Sequence, residues 1–149
     1  MINRKKKLKE FLTKEEYEGA AQNAAKFSEM SLPVWYFGIT DKCLGELSEF
    51  DLIRCIRQNV FTDLATFEII ERIDEQNTPF YSDIDSVELM EKLSSVSSEI
   101  LSTYKYKLNR MLENIEKNNL IDLATDIWMS DEQQETYKGY IHVIKNKIH

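Results

Sequence analysis

Apolar residues recur at helical spacing along most of the chain. Thr13 stands three residues before Glu16, a capping-box spacing, and Tyr17, Ala20, Ala21, Ala24 and Phe27 then mark one helix face. Pro33 argues against continuing that helix past Leu32. The run VWYFGIT, residues 34–40, is the one strand-like stretch; lacking a partner strand, it reads as buried extended chain or as the start of another helix. Ser48 with Asp51 caps a further helix whose core stripe is Leu52, Ile53, Ile56 and Val60. The next helix, Thr62 to Glu75, sets Ile69, Ile70 and Ile73 against an acidic stripe of Glu68, Glu71 and Glu75. QNTPFYSDID, residues 76–85, is the clearest loop. From Ser86 the pattern runs through Met90, Leu93, Val96, Leu101, Leu108 and Ile115, as one long helix or as two joined near SSVSS. A short turn, LIDLATDIW, follows, and Ser130 opens a last amphipathic helix through Tyr137, Ile141, Ile144 and Ile148.

This pattern predicts an all-α fold: a compact single-domain helical bundle of five or six helices over residues 1–149, with residues 1–12 as a basic, mobile N-terminal segment. Composition agrees, because Gly 4 and Pro 2 in 149 residues leave little material for a turn-rich sandwich or barrel. No apolar run reaches the roughly 18 residues that suggest a membrane span, and no apolar segment of a secretory signal follows the basic start. Cys43 and Cys55 form neither a CxxC pair nor a zinc spacing. Together these features point to a cytoplasmic protein in a reducing compartment.

Charge sharpens the picture. The formal net charge is −7, yet residues 1–9 carry five bases and no acid, and residues 41–91 hold thirteen acids against four bases. Such a field disfavours nucleic acid and favours a basic protein partner.

The search for catalytic chemistry is negative. The two histidines are His142, among lysines and isoleucines, and His149, the last residue. There is no HExxH, P-loop or dinucleotide glycine pattern, so no catalytic residue, cofactor or metal is expected. Asp83, Asp85 and Glu88 invite a hard cation, but no calcium-loop register fits, and capping of the following helix is the simpler role. The remaining candidate surface is acidic: Glu68, Glu71, Asp74 and Glu75, extended by Asp83 and Glu91.

Arg54 and Arg57 stand out inside this acidic region. On a helical wheel, Phe50, Arg54, Arg57 and Phe61 gather opposite Leu52, Ile53, Ile56 and Val60, which suggests a helix packed from two sides. Arg54 has Asp51 three residues before it and Gln58 four after; Arg57 has no acid at either spacing. A partly buried Arg57 would then need a carboxylate from residues 83–91, such as Asp83, Asp85 or Glu88.

The succession Leu44-Gly-Glu-Leu47-Ser48, Asp51-Leu52, Arg54 and Arg57-Gln58, followed by an apolar helix and by Pro79 to Met90 with Asp85 and Glu88, resembles the immunity proteins of contact-dependent growth inhibition systems. The resemblance covers residues 40–93 and departs from the family pattern in lacking glycines around Asp85. It implies a non-enzymatic protein that binds and neutralises the toxic C-terminal domain of a large exported protein. It also implies that the toxin is often a nuclease and hence often basic, which an acidic inhibitor suits. The competing reading is a helical adaptor, or a transcriptional regulator touching DNA through the basic N-terminus. That regulator would need a basic recognition helix, and the helix of Arg54 and Arg57 is flanked by acids.

Overall fold

The computed structural model describes residues 2–75, 86–117 and 130–149. Among them are eight helices and no strand: α1 Lys14–Lys26, α2 Ser31–Ile39, α3 Glu49–Arg57, α4 Thr62–Glu75, α5 Ser86–Ser95, α6 Ser98–Thr103, α7 Lys105–Lys117 and α8 Asp131–Ile148. Short 3-10 turns span Leu8–Phe11 and Leu44–Glu46. The all-α expectation holds, with more and shorter helices than the five or six foreseen. The proposed loop 76–85 and the LIDLATDIW turn lie outside the described residues.

Local chemistry explains the helix ends. Thr13 Oγ1 accepts from the Glu16 N–H at 3.1 Å and Glu16 returns a bond to the Thr13 N–H at 2.9 Å. Ser130 and Gln133 repeat the box at the start of α8. Pro33 falls in the first turn of α2, where its missing N–H has no intrahelical acceptor to lose. The run VWYFGIT is therefore helical, not extended. The long pattern from Ser86 breaks after Ser95, where Ser94 and Ser95 hydroxyls donate to the carbonyls of Glu91 and Lys92 and Ser97 caps a new helix by accepting from Ile100, and breaks again at Tyr104. After α3, Asn59 adopts a left-handed φ of 55°, and the Val60 N–H reaches the Cys55 carbonyl at 2.9 Å, closing the helix.

The chain divides into two compact units, Met1–Asp51 and Leu52–His149. In the first, α1 packs on α2, with Tyr17 and Phe37 rings 5.7 Å apart. The basic N-terminal segment bonds to the segment after α2. The Leu8 and Lys9 N–H groups donate to Lys42 and Thr40 carbonyls at 2.9 and 2.8 Å. Leu8 is fully buried, and the Lys7 and Lys9 amines both meet Asp41. Hydrogen bonding to these two lysines holds the Asp41 carboxyl below its usual range.

The second unit is built around α4, which packs against α5, α6 and α7, while α8 packs on α5 and α6. Every residue from Leu64 to Ile70 is buried. Lys147 on α8 donates to the carbonyls of Ser94 and Val96 at 2.6 and 2.9 Å, satisfying the end of α5. No helix among the described residues is long and apolar enough to cross a membrane.

Candidate interaction surface

Each acid proposed from the sequence has a distinct environment. Glu68 is not on a surface: it is 0% exposed, with Arg72 Nε 3.3 Å from its carboxylate. The neighbouring turns of α4 face α7, which supplies bases in register. Lys107 binds Glu71 and also lies 4.9 Å from the Phe67 ring centroid. Arg110 binds Asp74 at 2.7 Å, and Asn114 reaches the other Asp74 oxygen at 3.1 Å. Asp63, earlier in α4, accepts from the Tyr104 hydroxyl at 2.9 Å. Burial first, and this carboxylate second, push the Tyr104 phenol far up. Glu71 and Asp74 thus form a seam between α4 and α7. Glu75 and Glu91 are exposed, as is Glu88; Asp83 and Asp85 lie outside the described residues.

The motif residues separate in the same way. Asp51 is only 5% exposed. It accepts from the Trp35 indole N–H at 2.9 Å and the Lys42 ammonium at 3.3 Å, and its own N–H donates to Ser48 Oγ at 3.0 Å. Leu52 and Cys55 are fully buried and Arg54 is half-buried. Arg57 and Gln58 are exposed, and Phe50 is 61% exposed. The helix is therefore not packed from two sides. It stops at Arg57, so Phe61, at φ 49°, belongs to the following turn and never stacks into one face with Phe50 and Arg57. Being exposed, Arg57 lacks the burial that would have required a carboxylate clamp.

The remaining chemistry is sparse. Among the described residues no group of three His, Cys, Asp or Glu side chains is placed to hold a metal ion. Burial is the main effect pushing the Cys43 thiol upward, which opposes thiolate formation. What the described surface offers is contact area. The sequence profile of the CDI immunity proteins matches residues 16–111, from α1 into α7. The chain belongs to this family. No curated protein and no solved structure matches it.

As a CDI immunity protein, the chain is expected to act through surface that is uncovered. Its exposed features fall into two classes. One is acidic and lies on the second unit, which carries eleven bases and seventeen acids, net −6. The other is apolar; it includes Tyr106 and Val143 on the second unit but lies mostly on the first, which is near neutral with eight bases and nine acids. There Phe27, Met30, Leu32, Val34 and Phe50 are exposed. The sequence reading missed this second class, although the signal was legible in SLPVWYFGI, a helix without one charged residue.

Proposed function

We propose that this protein binds and neutralises the C-terminal toxin domain of a contact-dependent growth inhibition system, in the cytoplasm and without catalysis of its own. The observation that carries the reading is the family match over residues 16–111. The acidic second unit suits a basic, nuclease-like partner whose substrate surface it would cover. Within that unit the exposed carboxylates Glu75, Glu88 and Glu91 are the toxin-facing set, with Asp83 from the intervening segment. Glu71 and Asp74 hold α4 against α7, and Glu68 pairs with Arg72 inside α4. No cofactor takes part.

The test uses the toxin domain encoded immediately upstream of this chain's gene. Wild-type protein should bind it and protect a sensitive strain from its expression. Joint reversal by Glu75→Lys, Glu88→Lys and Glu91→Lys should slow association about ten-fold or more, with helicity unchanged by circular dichroism. Failure of the wild type to bind that domain would overturn the function. Unchanged association by the triple variant would overturn the acidic face alone.

A further inference from the structure

The turn joining α1 to α2 concentrates apolar surface in a way the toxin-binding reading does not use. Four of the large hydrophobics exposed among the described residues, Phe27, Met30, Leu32 and Val34, fall within eight consecutive positions. Met30 is 56% exposed. Exposed apolar residues scattered singly are ordinary, whereas several gathered at one turn suit a contact surface. Helix α2 supports this. It is apolar on every side, as in a helix that is covered all round, yet Ile39 is its one fully enclosed side chain. Between Phe27 and Met30 the turn also opens a recess of about 290 Å³, lined by Lys26, Phe27, Ser28, Glu29 and Met30.

We infer that this tip is an isologous contact between two copies of the chain. Its charges decide the occupant. Residues 26–34 contain one base, Lys26, and one acid, Glu29, both exposed. A basic partner would call for an acidic rim, and an acidic partner for a basic one; this tip offers neither. A second copy related by a two-fold axis sets Lys26 of each chain opposite Glu29 of the other, so the pair of charges complements itself. The first unit is also the place where two chains of net charge −7 meet with least repulsion, since its own net charge is −1. Met30 of one copy has the recess of the other to enter, a buried anchor ringed by the charge pairs.

Sedimentation equilibrium on the full chain tests this. Wild-type mass should rise with concentration from 17.6 kDa toward twice that value. Lys26→Glu alone and Glu29→Lys alone should each weaken self-association about ten-fold or more, because each places like charges across the axis. An equimolar mixture of these two variants should associate again, since one then presents two acids and the other two bases. Met30→Asp should remain monomeric throughout. Circular dichroism should show all variants folded, as these positions are exposed. A wild type that stays monomeric overturns the proposal, as does a dimer unaffected by these substitutions or a variant mixture that fails to associate. A monomer whose tip variants instead lose toxin binding would assign the tip to the toxin and equally overturn it.

Discussion

Asp51 shows how much one motif residue holds. Its burial favours the neutral acid, but hydrogen bonds from Trp35 and Lys42 outweigh this and keep its carboxyl below the ordinary 3.8. The charged form therefore contributes stability to the first unit. Asp51→Asn should lower stability at pH 7 by about 1–3 kcal/mol, as expected when a buried charged acceptor is replaced, read from urea midpoints. The sign of the pH effect follows from the lowered pKa. The wild-type advantage is complete above the unfolded carboxyl's value and is lost as pH falls through the lower folded value. A wild-type advantage that persists undiminished to pH 2, well under the ordinary 3.8, would contradict this. The sequence placed Asp51 correctly at the cap with Ser48, because caps are local. It gave no hint of Trp35, sixteen residues away in the chain.

At the scale of the element, α4 is where periodicity misled. Glu68, Glu71 and Glu75 do recur at helical spacing, and a helix with one covered face would expose them. But α4 meets three other helices, and little of its circumference is left for water. Glu68 survives in that interior by pairing with Arg72 within its own helix, itself only 11% exposed. Arg72→Met should accordingly destabilise by about 3–5 kcal/mol, since it strips a counter-ion from a buried carboxylate. Arg110→Met should cost much less, its side chain being half exposed to solvent. Chemical denaturation of the two variants side by side checks the order, and equal losses would refute it. The helix break at Val96 was foreshadowed by the serines of SSVSS, but only as an ambiguity, and the one at Tyr104 was not. Serine hydroxyls bond carbonyls in helices as well as caps, and neighbouring packing selects between them.

For the whole molecule, charge separates the two units: −1 in residues 1–51 and −6 in residues 52–149. That asymmetry acts at long range, beyond any one contact, and so appears first in association rates. Binding of the toxin domain should slow steeply as salt rises, because the Debye length falls from about 10 Å at 0.1 M to about 3 Å at 1 M. Dissociation should change far less. Stopped-flow measurements across that range test it; an association rate indifferent to salt would remove electrostatics from recognition. The fastened N-terminus matters at this scale as well. Lys7 and Lys9 are held on Asp41, so these two bases are not the free arm that a DNA-binding reading requires.

By itself the sequence determined the helical class, the capping box at Thr13, the helix start at Ser130, the charge imbalance and the family resemblance. All are properties of composition or of residues within a few positions of one another. Tertiary structure alone decided which acids are surface and which are structure. Lys107 reaches Glu71, and Arg110 reaches Asp74, each across 36 residues of chain. A helical period reports which side chains share a face; it does not report what covers that face. Whether a carboxylate meets water or a guanidinium depends on chain segments distant in sequence, and only the packed helices bring those together.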